Sequence, residues 1–168
     1  QIIGSMRQTY KNVTVSYDPN YRHQLWDPKE AINAMEEIMP YVDIFLPSAP
    51  EDSMALFNTS DPNEIISSSR SFGIKTTLIT MGKNGAVIDN SGNTFSLSPY
   101  QAGSVVDTTG AGDAFKGGFL HGLLENMSPE KAANIGNISA GITITGRGAI
   151  NSIPYKSEVY KILNDMDM

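Results

Sequence analysis

Short apolar runs alternate with longer amphipathic segments along this chain, and the two patterns predict different elements. Runs rich in β-branched and aromatic residues predict strands, whereas apolar side chains spaced three and four residues apart predict helices. The predicted strands span 13–17, 43–46, 76–81, 86–89 and 94–97. The predicted helices span 27–39, 51–57, 61–72, 112–125, 128–145 and 156–164. Strands therefore alternate with helices over most of the sequence.

Turn chemistry sets several of these boundaries. The pairs Asp27-Pro28, Asp61-Pro62 and Ser128-Pro129 each place a capping side chain directly before a proline at the first helical position. Gly73 is placed to end the preceding helix. The polar run 90–93 joins two short apolar runs, and it predicts a β-hairpin.

The order of the elements predicts an α/β fold. Alternating strands and helices form βαβ units, which build a largely parallel sheet flanked by helices on both faces. Ligands bind such sheets beyond the carboxyl ends of the strands. The turns after Tyr17, Leu46 and Met81, together with the loop 107–113, are therefore expected to line one edge of the sheet.

Composition narrows the class of protein. The 168 residues suit a single α/β domain over 1–168. A net charge of −6 argues against nonspecific binding to nucleic acid or to an anionic membrane, and no apolar run is long enough to span a bilayer. The absence of cysteine excludes disulfides and thiolate metal sites, and it is typical of a cytoplasmic protein.

The loop Asp107–Asp113, followed by a helical run, carries the most specific chemistry. A Gly110-Ala111-Gly112 turn that opens a helix leaves backbone N–H groups free to bind an anion, and the helix dipole adds partial positive charge. Asp113 is expected to accept a proton from an attacking hydroxyl group. An anion site beside a base is what phosphoryl transfer to an alcohol requires.

This loop resembles the C-terminal signature of the ribokinase-like carbohydrate kinases, the PfkB family. The resemblance implies that Asp113 is the catalytic base for a sugar hydroxyl, and that the amides of Gly110, Ala111 and Gly112 stabilise the transferred phosphoryl group. It also implies a monovalent cation of the K⁺ type, held by Asp107 and the carbonyl of Thr109. Further carbonyl ligands and a nearby hydroxyl are implied at Thr143, Gly146, Gly148 and Ser152. The alternative interpretation of this last stretch is a flexible helix end.

Three further places resemble the ATP-binding segments of that family. The first is the turn after the third predicted strand, where a hydroxyl, amides and a positive charge suit triphosphate oxygens. Its residues are Thr80, Gly82, Lys83 and Gly85. The second place is the family's Asn-x-x-Glu motif, which Ser48 and Glu51 occupy, with Ser48 in place of the Asn. Glu51 is expected either to organise water around Mg²⁺ or to be an ordinary acidic residue of a first helical turn. Asn137 matches a position that borders the adenine, with a solvent-facing helix residue as the alternative.

The segment after the first predicted strand bears on the substrate. Asp18, Asn20 and Arg22, with Leu25-Trp26 nearby, resemble the 2-keto-3-deoxygluconate kinases, in which the equivalent Arg lies near the acid substrate and the nucleotide. A guanidinium group is a rigid fork that suits a carboxylate or a phosphate. Asp18 and Asn20 are expected to contact the sugar or to shape the turn, and Arg22 alternatively is a surface residue.

The sequence as a whole predicts an ATP-dependent sugar kinase with Mg²⁺ and K⁺ as cofactors. The first-choice acceptor is 2-keto-3-deoxygluconate; the alternatives are fructose or another neutral sugar, and a nucleotide-binding fragment without turnover. The resemblance maps to the C-terminal half of the family, so the chain is expected to be a fragment that turns over poorly alone. The full-length protein is expected to form a homo-oligomer. Neither a P-loop nor a Gly-x-Gly-x-x-Gly motif appears in the sequence.

Overall fold

The computed structural model describes residues 2–10 and 12–166. The helices of these residues are α1 Ile2–Thr9, α2 Pro28–Ile38, α3 Glu51–Phe57, α4 Pro62–Ser71, α5 Ala111–Leu124, α6 Pro129–Thr143 and α7 Lys156–Met166. Two short 3₁₀ segments lie at Met39–Tyr41 and Gly82–Asn84. The strands are β1 Ser16–Tyr17, β2 Ile44–Phe45, β3 Thr76–Thr80, β4 Ala86–Asn90 and β5 Asn93–Leu97.

The five strands form one sheet in the order β1-β2-β3-β4-β5. β1 pairs with β2 in parallel, with Tyr17 opposite Phe45, and β2 pairs with β3 in parallel, with Phe45 opposite Thr77. The turn between β4 and β5 has positive φ at Ser91 (52°) and Gly92 (98°), as a two-residue hairpin requires. The predicted α/β class, the parallel strands and the hairpin are therefore confirmed.

Three predicted helix starts are confirmed by their capping bonds. The side chain of Asp27 accepts a hydrogen bond from the Lys29 amide, Asp61 from the Asn63 amide, and Ser128 from the Lys131 amide. Each of these helices begins at the proline that follows the cap. The capping signal is local, which is why the sequence predicts these starts to the residue.

The N-terminal helix α1 was not predicted, and the first two strands are shorter than expected. No residue of α1 is buried, and its apolar residues Ile2, Ile3 and Met6 fall in an eight-residue helix, too short for their spacing to predict one. Its Arg7 pairs with Asp43 beside β2, an ion pair between residues far apart in sequence. The strand ladder itself covers only two residues of β1, although the Val15 carbonyl also accepts from Ile44.

The described chain divides into two compact units, one formed by residues up to 81 with 87–95, the other by 82–86 with residues from 96 onward. In the first unit, fully buried apolar side chains pack around β2 and β3, among them Met39, Phe45, Ile65 and Ile79. A single domain over 1–168 stays a prediction.

In the second unit, small residues bring α5 and α6 together. A Cβ added to Gly118 would lie 2.9 Å from the Cα of Gly136, and one added to Gly122 would lie 2.6 Å from the Cα of Ala132. Any larger side chain at either glycine would separate the helices. The packing therefore fixes α5, whose N-terminus carries Asp113.

Candidate active site

Gly110 shapes the loop that leads into α5. It is the N-cap of the helix and has a φ of 80°, a conformation that L side chains rarely adopt. A Cβ at this position would also lie 2.9 Å from the Cα of Ala149. Both the backbone angle and the close neighbour therefore require glycine here. Sequence reasoning missed Ala149, because nothing local connects it to the loop.

The first amides of α5 are only partly engaged. The first helical hydrogen bond runs from the Ala114 N–H to the Gly110 carbonyl at 2.8 Å, so the N–H groups of Gly112 and Asp113 precede it and have no acceptor within the helix. The Ala111 N–H donates to the Thr108 carbonyl at 3.2 Å. The amides of Gly110 and Gly112 thus suit an anion better than that of Ala111.

Asp113 lies in the first turn of α5, and its side chain is exposed. It lines a cavity of about 270 Å³ between α5, α6 and α7. At that cavity the His121 imidazole lies 3.1 Å from the Tyr160 hydroxyl, and the Lys156 ammonium lies 5.0 Å from the centre of the Tyr160 ring. The carboxylate of Asp113 is therefore open to a substrate that approaches the helix N-terminus.

Asp107 is held by three hydrogen bonds. Its Oδ1 accepts from the Thr109 N–H at 2.9 Å and from the Thr109 hydroxyl at 2.7 Å, and its Oδ2 accepts from the Gly148 N–H at 2.9 Å. The Thr109 hydroxyl and amide, the Gly148 amide and the charge of Arg147 lower the pKa of Asp107 to about 2. Asp107 is therefore ionised at neutral pH and is a poor proton acceptor.

The predicted cation ligands after α6 form a compact cluster with Asp107. The Ser152 hydroxyl donates to the Gly148 carbonyl at 2.6 Å, and a Cβ on Gly146 would lie 2.6 Å from the Cβ of Ser152. The buried Thr143 accepts the Gly146 N–H at its carbonyl, at 3.3 Å. Each carbonyl oxygen has a second lone pair, so these bonds leave acceptor capacity for a cation.

In the first unit, the loops after β2 and β3 meet through hydroxyl groups. The Ser48 and Thr80 hydroxyl oxygens lie 3.1 Å apart, and the Ala49 N–H donates to the Thr80 carbonyl at 2.8 Å. Glu51 follows as an exposed first residue of α3. The structure therefore brings together Ser48 and Thr80, two of the residues predicted to contact nucleotide phosphates.

The turn after β3 is built around glycine. Gly82 and Gly85 have φ values of 53° and 86°, and the Gly85 N–H donates to the Gly82 carbonyl at 3.1 Å. A Cβ on Gly85 would lie 1.9 Å from the Leu97 carbonyl oxygen, whereas the space around Gly82 is open. Lys83 is exposed. Both the backbone angle and the packing therefore require glycine at position 85, whereas Gly82 and Lys83 remain open to a ligand.

The segment after β1 folds back on itself. The Asp18 carboxylate accepts the Asn20 N–H at 3.1 Å, and Asn20 has a φ of 43°. The Tyr21 hydroxyl donates to the Trp26 carbonyl at 3.1 Å. Arg22 is exposed and donates to the Tyr21 carbonyl at 3.2 Å. Asp18 and Asn20 thus shape the turn, and the guanidinium group of Arg22 faces solvent.

Asp52 is a buried carboxylate that sequence reasoning missed. It is 2% exposed, and its two oxygens accept hydrogen bonds from the Tyr21 N–H at 2.7 Å and the Ser48 N–H at 2.8 Å. Burial and the charges of Asp52 and Asp18 raise the pKa of Tyr17. An acidic residue in a first helical turn is ordinarily explained by the helix dipole, so the sequence gives no signal for these bonds.

Asn137, predicted to border the adenine, bonds to backbone. Its side-chain oxygen accepts the Tyr100 N–H at 3.0 Å, and its side-chain nitrogen donates to the Ser98 carbonyl at 2.8 Å. The carboxamide therefore fixes the segment 98–100 against α6. A contact with adenine stays a prediction, and the second N–H of the amide group is the atom suited to it.

Across residues 2–10 and 12–166, no three His, Cys, Asp or Glu side chains cluster as metal ligands. In the same part of the chain, no helix is long and apolar enough to cross a bilayer.

Comparison with known proteins decides the family. Residues 4–156 match the pfkB family carbohydrate kinases. The chain belongs to the pfkB family. It is 36% identical over 143 residues to the 2-dehydro-3-deoxygluconokinase of Haemophilus influenzae, covering 83% of this chain and 45% of that protein. It is 33% identical over 144 residues to the ATP-dependent 6-phosphofructokinase of Thermoanaerobacterium thermosaccharolyticum, covering 85% of this chain and 44% of that protein.

The pfkB fold is also found by comparison with solved structures. A fructokinase double mutant from Vibrio cholerae, in its fructose-, ADP- and potassium-bound form, matches with a TM-score of 0.82 at 27% identity. The match covers 96% of this chain and 53% of that one. The chain spans about half the length of the curated relatives it matches. The predicted family and ribokinase-like fold are confirmed, and the roles of individual site residues stay predictions.

Proposed function

We propose that the whole protein to which this chain belongs transfers the γ-phosphoryl group of ATP to a primary hydroxyl of a sugar. Asp113 takes the hydroxyl proton while the hydroxyl oxygen forms a bond to the γ-phosphorus. The bond from that phosphorus to the β–γ bridging oxygen breaks, and ADP leaves. The amides of Gly110 and Gly112 stabilise the negative charge on the transferred group.

The observation that carries this proposal is the N-terminus of α5. Its unpaired amides and the exposed carboxylate of Asp113 lie within one helical turn, in a chain of the pfkB family. Asp107, with a pKa of about 2, is too weak a base for the same role.

Contacts with the nucleotide and the cations are proposed for the residues that resemble the binding segments of the family. Ser48, Thr80, Gly82, Lys83 and Gly85 are proposed to contact the phosphates, and Asn137 the adenine. Glu51 is proposed to hold Mg²⁺ through water. Asp107 and the carbonyl oxygens of Thr109, Thr143, Gly146 and Gly148, steadied by Ser152, are hard oxygen donors that suit a K⁺-type cation. When bound, Mg²⁺ neutralises phosphate charge and the monovalent cation orders the loop.

The proposed acceptor is 2-keto-3-deoxygluconate, also called 2-dehydro-3-deoxygluconate. Arg22 is exposed beyond the carboxyl end of β1, and its guanidinium group suits the carboxylate of this sugar acid. Asp18 and Asn20 shape the turn that presents Arg22. The similarity to a 2-dehydro-3-deoxygluconokinase supports this choice, and the similarity to a fructokinase supports the neutral-sugar alternative equally.

The test is coupled ADP release by the whole protein with Mg²⁺ and K⁺, across 2-keto-3-deoxygluconate, fructose, ribose and a nucleoside. Turnover mainly on the sugar acid is expected. Turnover mainly on fructose would favour a fructokinase, which the similarity to the Vibrio cholerae fructokinase supports. ATP binding without turnover on any acceptor would overturn the kinase and favour a nucleotide-binding protein, to which the Ser48 replacement also points.

A further inference from the structure

Asp52 joins two segments that leave neighbouring parallel strands. Tyr21 lies in the acceptor segment, residues 18–22, which follows β1. Ser48 begins the phosphate segment, residues 48–51, which follows β2. One carboxylate therefore accepts a hydrogen bond from each segment, at 2.7 Å and 2.8 Å.

The burial of Asp52 makes this connection rigid. A buried carboxylate is destabilising unless hydrogen bonds replace its water. The side chain is only 2% exposed, and α3 fixes its backbone, since the Asp52 N–H donates to the Ser48 carbonyl at 2.9 Å. Moving either segment away would strip a charged acceptor of a partner.

The phosphate segment is tied in turn to β3. The Ser48 hydroxyl lies 3.1 Å from the hydroxyl of Thr80, at the end of that strand. A ligand that binds to Ser48 or Thr80 and displaces it therefore also displaces Asp52. Through the Asp52 carboxylate, the displacement reaches the Tyr21 amide. Arg22, the residue proposed to bind the acid substrate, is the next residue in the chain.

We propose that Asp52 is a positioning residue that couples nucleotide binding at the phosphate segment to acceptor binding at the acceptor segment. This role rests on the proposed function, because that function assigns ligands to the two segments. Asp52 touches neither ligand and acts through the amides of Tyr21 and Ser48. Nucleotide and acceptor are thus expected to raise each other's affinity by the same factor.

The decisive variant is Asp52→Asn in the whole protein. An amide group keeps one acceptor oxygen but turns an NH₂ group toward the other N–H donor, so one of the two bonds is replaced by a donor–donor contact. The affinity for 2-keto-3-deoxygluconate is measured with and without a non-hydrolysable ATP analogue and Mg²⁺. Loss of one charge-assisted hydrogen bond predicts that the acceptor KM rises about tenfold and that the analogue no longer tightens acceptor binding.

Asp89→Asn is the matched control. Asp89 is also a buried carboxylate of the first unit, 1% exposed, and it accepts hydrogen bonds from Arg70 at 2.5 and 3.1 Å. The same substitution there lowers Tm by weakening the ion pair of a buried carboxylate with the half-exposed Arg70, but it leaves both proposed segments intact. Its acceptor KM and its response to the analogue are expected to match those of the wild-type protein.

Three results would overturn the proposal, and they are distinguishable. Asp52→Asn with a lower Tm but unchanged coupling would make Asp52 purely structural. Equal loss of coupling in Asp89→Asn would attribute the effect to general destabilisation. A wild-type protein that phosphorylates no acceptor would instead overturn the proposed function, and with it the proposed coupling role of Asp52.

Hydrogen exchange in the wild-type protein tests the same link without a variant. If Asp52 transmits binding, the ATP analogue with Mg²⁺ slows exchange of the Tyr21 amide together with that of Ser48. Slowed exchange at Ser48 with no change at Tyr21 would overturn the proposal even if Asp52→Asn fails to fold.

Discussion

Asp107 accepts a hydrogen bond from the amide of Gly148, 41 residues further along the chain, at 2.9 Å. This bond joins the loop before α5 to the glycine-rich turn after α6. Together with the bonds from Thr109, it keeps the carboxylate ionised in the physiological range. A charged acceptor therefore helps to hold the two ends of the proposed cation cluster together, besides the backbone bonds from Val106 and Asp107 to Ile144.

The Asp107 bonds predict a transition at acidic pH. The folded-state pKa, about 2, lies below the ordinary value of 3.8, so these bonds stabilise the fold fully above about pH 4. The contribution declines as the pH falls from 3.8 toward 2, because protonation removes the charged acceptor. A ¹³C NMR titration of the Asp107 carboxyl carbon measures this pKa directly.

Thr109→Val serves as the matched variant for that titration. Valine keeps the branched shape but lacks the hydroxyl that donates to Asp107 at 2.7 Å. The pKa of Asp107 is expected to rise toward 3.8 while the amide bonds remain. A wild-type Asp107 that titrates near 3.8, or a Thr109→Val variant with an unchanged pKa, would contradict the structure of this loop.

Gly110→Ala is predicted to destabilise the fold and to impair turnover. The left-handed backbone costs an L side chain about 1–2 kcal/mol, and the overlap with Ala149 adds about 1–3 kcal/mol. Gly73→Ala is the control, because Gly73 has a φ of 84° but nothing within 4 Å of an added Cβ. Chemical denaturation gives both free energies of unfolding; equal losses would show that Ala149 does not restrict the loop.

Arg22→Ala is predicted to discriminate between the candidate acceptors. If the guanidinium group binds the sugar carboxylate, the KM for 2-keto-3-deoxygluconate rises about tenfold or more, while the KM for fructose is unchanged. Lys29→Ala removes another exposed positive charge nearby in sequence and serves as the control. Steady-state kinetics on both sugars measure the effect. An unchanged KM for the sugar acid would remove Arg22 from acceptor binding.

The sequence predicted elements whose signals are local. The helix starts at Pro28, Pro62 and Pro129 follow from a capping side chain and a proline, and the hairpin at Ser91-Gly92 follows from its turn residues. The glycine-containing turn before α5 is local in the same sense. These features need no knowledge of distant residues.

Features that depend on distant partners escaped prediction. Helix α1 is only eight residues long, and one of its contacts is the ion pair between Arg7 and Asp43. Asp52 bonds to Tyr21 across 31 residues, and nothing in the first turn of α3 indicates that contact. The crowding of Gly110 by Ala149 likewise depends on the folded chain. The roles of the site residues came from family resemblance, because chemistry in a loop does not by itself name a substrate.

The central claim is that Asp113 is the base in phosphoryl transfer. Its most direct test is coupled ADP release by the whole protein with its best acceptor, comparing wild type with Asp113→Asn and with Asp165→Asn, an exposed aspartate of α7. Loss of the base predicts that kcat falls about 10²- to 10⁴-fold in Asp113→Asn, with nucleotide affinity retained. Asp165→Asn is expected to match wild type. An Asp113→Asn variant that keeps more than about a tenth of wild-type kcat would contradict the account, since a general base contributes at least about a hundredfold.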